Sequence, residues 1–182
     1  PEIPRLRRSL ARDAGPCAGQ ATGDESPENL DALPELARHL PEAMLVMTHR
    51  KPTVCVPFYI SLSGLVHSLG FKHQDPAALG KVWLDNAARE MEKHIACRGT
   101  FNNPLWDHKY TDMLEGPIGS VRRVFDRFGF EWNETTEQSV ARHTRENQQH
   151  KFGHHRYHIS DFQLTDFDVN LRFKSYLEEF QL

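Results

Sequence analysis

The chain has 182 residues, 38% of them hydrophobic and 26% charged, with a formal net charge of -3 at pH 7. That is enough chain for one domain with a real core, and no global basic field draws it to nucleic acid or a membrane surface, so any anion site has to be local. Cys17, Cys55 and Cys97 are far apart, odd in number and outside any CxxC spacing, which argues against a disulfide framework or a structural zinc site and fits a reducing, cytoplasmic setting.

No apolar run approaches the roughly 20 residues needed to span a bilayer, and the opening lacks the charged-then-apolar order of a secretory signal. Residues 1–24 are rich in Arg, Ala and Gly without a sustained period and read as an irregular segment. Nucleotide-binding α/β folds usually open with a strand and a phosphate loop, so this opening is read as one whose beginning has been removed. A helix start follows at Ser26-Pro27-Glu28 and a second at Pro34, with Leu30, Leu33, Leu36 and Leu40 forming one apolar stripe that ends near Pro41. The continuous apolar run Met44 to Met47 predicts a central parallel strand covered on both faces. It hands over directly to Thr48-His49-Arg50-Lys51-Pro52.

From Pro52 a helix runs to Gly70, with Pro57 as a kink in its second turn. Asp75-Pro76 opens a long amphipathic helix to about Ala96. Leu105 to Tyr110 reads as a second strand, a poor central one because of Asp107, His108 and Lys109. Gly116-Pro117 starts a helix that stops at Gly129, and a polar helix covers Glu134 to Asn147. A basic loop, Gln148 to Tyr157, precedes one closing helix from Thr165 to Phe180. No repeat or heptad is present.

Two basic clusters stand out. Arg50 lies where a buried strand meets a helix start, the position at which open α/β sheets bind ligands and helix N–H groups face anions. The alternative is an exposed ion pair with a nearby carboxylate. In the late loop Gly153 permits close backbone approach while Lys151, His154, His155 and Arg156 supply donors; taken alone, it reads as solvated surface. No metal site is expected from His150, His154, His155 and His158, since no carboxylate or Cys completes the spacing and Gly153 interrupts the helix that would align them. No GxSxG elbow and no GxxxxGK[ST] loop occurs. His67, His73, His94 and His108 read as structural or exposed, so no general base is nominated.

Together, Ser26-Pro27-Glu28-Asn29-Leu30, Leu40-Pro41-Glu42-Ala43 and Thr48-His49-Arg50-Lys51-Pro52 resemble the central block of the 3′-phosphoadenosine 5′-phosphosulfate (PAPS)-dependent sulfotransferases. Their usual wording is Lys-Ser-Pro-Glu-His-Leu, a proline-marked break and Thr-His-Arg-Asp-Pro. Gly116 to Phe125 with Phe128-Gly129 resembles the family's helix after its late strand. His150 to Tyr157, followed by Asp161-Phe162-Gln163-Leu164 and the final helix, is similar to the family's Lys-His-Gly-x-His-Arg-Tyr and Phe-Gly-Leu ending.

The resemblance runs from about residue 25 to the C-terminus. It implies a sulfotransferase-like domain over 25–182: a P-loop-containing nucleotide hydrolase-like α/β fold, its parallel sheet flanked by helices, with a helix-rich C-terminal part. It implies PAPS as sulfonate donor and no metal. Arg50 would bind the donor 3′-phosphate, Ser61 would assist, and Lys151, Gly153, His154, His155 and Arg156 would close over the same group. The acceptor would be a small molecule, glycan or lipid bearing a hydroxyl or amine.

Departures from the pattern are Glu25 for the Lys before Ser-Pro, Lys51 for the Asp after the Arg, and Phe58 for the Ser eight places past it. The loop holding the 5′-phosphosulfate has no counterpart. A diverged, non-catalytic relative that keeps the fold is therefore the second reading. A P-loop kinase or hydrolase, which needs a Walker lysine and a metal-binding acid, is the third and weakest.

Overall fold

Proline sets most of the frame, because its missing N–H costs nothing in the first turn of a helix. A computed structural model describes residues 33–70, 75–148 and 157–182. In order these form α1 (Leu33–His39), β1 (Leu45–His49), α2 (Pro52–Ser68), α3 (Pro76–Cys97), a 3-10 turn (Arg98–Thr100) and β2 (Leu105–Lys109). There follow α4 (Tyr110–Glu115), α5 (Pro117–Phe128), α6 (Glu134–Glu146), a second 3-10 turn (Ile159–Phe162), α7 (Asp166–Arg172) and α8 (Lys174–Phe180). Pro52, Pro76 and Pro117 each open a helix as their sequence predicts. The start expected at Ser26 lies outside the described residues.

β1 and β2 run parallel, Leu45 opposite Leu105 and His49 opposite Lys109, with α2 and α3 as the crossover between them. The approaches to both strands are stapled by Asn103, whose Nδ2 donates to the Leu40 carbonyl at 2.8 Å and the Ala43 carbonyl at 2.9 Å. The core joins Val56 and Ile60 of α2, Leu84 and Ala88 of α3, and Val169, Phe173, Tyr176 and Phe180 of the C-terminal helices. Arg172 reaches from α7 to Asp85 and Glu92 on α3, fixing the same layer at its rim.

One close approach explains a glycine. A Cβ on Gly80 would stand 2.7 Å from the Phe162 carbonyl oxygen and 2.8 Å from the Phe162 Cβ, so α3 meets the second 3-10 turn at backbone distance there. Gly129, at φ 73°, supplies the left-handed stop of α5 where the sequence expects it.

Two expectations change. β1 is covered on one face only by the described residues: His49 is buried, whereas Val46 on the opposite face is 44% exposed. The single closing helix is two, α7 and α8, broken at the buried Phe173 (φ -100°, ψ 18°). Bonds from Phe173 N–H to the Val169 carbonyl and from Leu177 N–H to the Phe173 carbonyl persist across the break, so the apolar face stays continuous.

Helices α5 and α6 form a thinner region. Ser120 is the only buried residue of α5 and α6 has none. Phe125 makes edge contacts with Phe130 and Trp132, at centroid distances of 5.6 and 5.2 Å.

Candidate functional site at the strand ends

Arg50 leaves the carboxyl end of β1 into solvent, and its guanidinium carbon lies 4.6 Å from the centroid of the Tyr110 ring, the residue that follows β2. No carboxylate among the described residues pairs with it. Helix α2 begins immediately afterwards with Lys51 as N-cap and no side-chain cap. Pro52 has no N–H and the Val54 N–H donates to the Lys51 carbonyl at 3.0 Å, so within the first turn the Thr53 N–H is the one with no bond among the described residues. It lies beside a guanidinium that no described carboxylate pairs, which is the chemistry of an anion site.

Beneath this exposed end lies a buried polar chain. His49, 2% exposed, has Nδ1 3.0 Å from the Tyr176 hydroxyl and Nε2 2.7 Å from Asp107 Oδ1. Its ring stacks on Phe180 at 3.8 Å. Asp107 also accepts two bonds from the Arg98 guanidinium, one of them at 2.8 Å, and Arg98 lies over the Phe180 ring. His94 Nε2 is 3.3 Å from the same guanidinium.

The electrostatics follow from burial and charge. Burial lowers the His49 pKa, only partly opposed by its bond to Asp107. Burial, then the Arg98 charge, brings His94 down to about 4. For Asp107 burial works upward, but the bonds from Arg98 and His49 prevail and hold the carboxyl below its usual value. The Tyr176 hydroxyl is pushed up to about 12, chiefly by burial. At neutral pH the array is thus a carboxylate and a guanidinium flanked by two uncharged imidazoles. Because Arg98 can only donate, His94 Nε2 accepts and Nδ1 carries the proton, with no partner for it among the described residues.

Of the residues expected to hold the donor, Arg50 is at the strand end and Ser61 lies part-buried on α2, nine residues past Pro52, about 14 Å along the helix axis. Lys151, Gly153, His154, His155 and Arg156 lie outside the described residues. Tyr157, the first described residue after them, has its ring 5.8 Å from that of Phe58 of α2. Phe58 stands where the resemblance expects a phosphate-binding Ser. Among the four histidines read as structural or exposed, His94 and His108 are buried, the latter with Nε2 unpartnered among the described residues. His67 is exposed against Trp83, and His73 lies outside the described residues.

The sequence reading passed over His49, Asp107, Arg98 and Tyr176. The available signal was Asp107 itself: a carboxylate inside a strand requires a buried cation or donor.

A profile of the sulfotransferase family matches residues 6–134. The chain belongs to that family. No curated protein matches it in sequence. In fold it is similar to a sulfotransferase from Mycobacterium avium, with TM-score 0.74 and 19% identity over 86% of this chain and 41% of that one. It is likewise similar to a sulfotransferase from Mycobacterium tuberculosis H37Rv, with TM-score 0.65 and 24% identity over 82% of this chain and 38% of that one. The chain thus spans about two fifths of the length of these neighbours. The two-stranded parallel sheet flanked by helices is part of their P-loop-like fold. The matched span contains Arg50 and the buried array up to Asp107, and ends before the late basic loop.

Proposed function

We propose that this chain holds the nucleotide 3′-phosphate in a PAPS-dependent sulfotransferase, with Arg50 as the anchoring cation. The observation that carries the reading is an exposed guanidinium without a carboxylate partner among the described residues, beside a start of α2 that has no side-chain cap, at the carboxyl end of a parallel strand. A bisphosphorylated nucleotide brings several negative charges that fit such a donor set. Ser61, Lys151, Gly153, His154, His155 and Arg156 complete the proposed shell, and the contact of Tyr157 with Phe58 supports an approach of the late segment to α2. PAPS supplies the sulfonate that passes to a hydroxyl or amine of the acceptor. This chain's share is binding and orientation, in a soluble, cytoplasmic protein acting on a small molecule, glycan or lipid.

Calorimetric titration with adenosine 3′,5′-bisphosphate tests the reading. The wild-type chain binds, and Arg50→Ala and Arg156→Ala each weaken binding about tenfold or more, equivalent to about 1.4 kcal/mol. A folded wild-type chain that does not bind removes the donor site. Phe58, in place of a hydroxyl, favours a second reading as a non-catalytic relative that retains the fold. It predicts no sulfonate transfer even when the bisphosphate binds.

A further inference from the structure

We propose that His49 is a positioning residue that sets the direction in which Arg50 leaves the sheet; this rests on the reading of Arg50 as the anion anchor. The two strand ends are locked at the same level. His49 stands opposite Lys109, so the next residues on the two strands are Arg50 and Tyr110, and these form the guanidinium–ring pair. Asp107 and His49 are joined diagonally across the strands at 2.7 Å, His49 one residue and Asp107 three residues before the first residue past each strand. Rotation of either strand end breaks that bond.

The imidazole is restrained by two elements and stacked against a third side chain. Since a carboxylate only accepts, Nε2 donates to Asp107; in the neutral ring Nδ1 then accepts from the Tyr176 hydroxyl. The Arg50 backbone also lies close enough to the Tyr176 oxygen to favour its ionised form. Tyr176 therefore holds the ring of one residue and neighbours the backbone of the next. Phe180 packs on the ring face, and Arg98 holds Asp107 from behind. The charged or titratable groups around His49 are Asp107 and Lys109 from β2, Arg98 from the 3-10 turn and His94 from α3, with Tyr176 from α8 and Cys55 of α2 beyond it. Asp107, Arg98 and Lys109 act on the ring directly. None replaces its two directed bonds.

A ligand-free measurement and a binding measurement test this on the full chain. Arg50 side-chain protons over the Tyr110 ring resonate upfield of their random-coil position. In His49→Phe, which keeps a ring against Phe180 but has neither nitrogen, at least about half of that displacement is lost; His49→Gln, which keeps an N–H for Asp107, retains it. Tyr176→Phe, which removes only a hydroxyl, reproduces the loss and serves if His49→Phe does not fold. With adenosine 3′,5′-bisphosphate, His49→Phe binds about tenfold more weakly and His49→Gln within about threefold of wild type. An unchanged Arg50 signal in folded His49→Phe and Tyr176→Phe overturns the proposal. So does wild-type affinity in both when Arg50→Ala has lost binding. A wild-type chain that binds nothing removes the donor reading alone, and the Arg50 signal still decides the role of His49.

Discussion

The layer built from α2, α3, α7 and α8 and the pair α5–α6 are both amphipathic helices, yet they are held by different physics. In the first, Ile60 and Val169 are fully buried and a polar chain is enclosed with them. The second has an aromatic edge cluster, the Gly129 stop of α5 and the Asn133 cap of α6, and Ser120 is its only buried side chain. Burial in the first region magnifies both apolar contacts and the consequences of an unpaired proton. The strand-end site stands on that region.

The largest effect expected from breaking this contrast is Ile60→Ala, which should cost about 2–5 kcal/mol in urea unfolding, whereas Val140→Ala on the half-buried face of α6 should cost under about 1 kcal/mol. Comparable losses would put the two regions in one packing class.

Acid should act on the first region through His94. Unfolded, its ring takes a proton near 6.5; folded, only near 4. The folded state therefore has its full stability above about pH 6.5, loses it as pH falls through that window, and levels off below about 4, a total of about 3 kcal/mol. His49, whose pKa is also lowered, adds in the same direction. Unfolding midpoints at pH 7 and 4.5 check this: His94→Phe should remove the larger part of the dependence, and a profile identical to wild type would contradict the assignment.

Gly80→Ala comes next. It gains about 1 kcal/mol of helix propensity but drives a methyl against the Phe162 carbonyl, which is backbone and cannot swing aside. A net loss of about 1–3 kcal/mol is expected from thermal melts. Apart from the Val140→Ala control, the smallest effect is Asn133→Ala. It removes the cap that accepts from the Thr136 N–H at 3.0 Å, costs about 1 kcal/mol, and should speed amide exchange in α6 while leaving β1 protected.

The helix starts were legible because Pro52, Pro76 and Pro117 act through their own backbone, and Gly129 marks a stop for the same local reason. β1 was legible as an apolar run, though its uncovered Val46 face was not. β2 was nearly lost, because Asp107 and His108 count against a strand until their partners are known. Arg50 could be picked out from a short motif at a strand-to-helix junction. His49 sits in the same motif and went unremarked, since its meaning depends on Asp107, 58 residues away, and Tyr176, 127 residues away. Such long-range pairing leaves no period in the sequence. The split at Phe173 was hidden as well, because the apolar spacing of Val169, Phe173, Tyr176 and Phe180 runs through it unchanged.

The reach from His49 to Tyr176 has a consequence for biosynthesis. A ribosome that has released β1, α2 and α3 has produced a strand end whose imidazole still lacks its hydroxyl partner and its stacking ring, and both arrive only with α8. Closing so long a loop is slow compared with forming helices. A nascent chain paused short of α8 would therefore expose His49 to water and protonation, and the guanidinium beside it would acquire its heading only in the final stretch of translation.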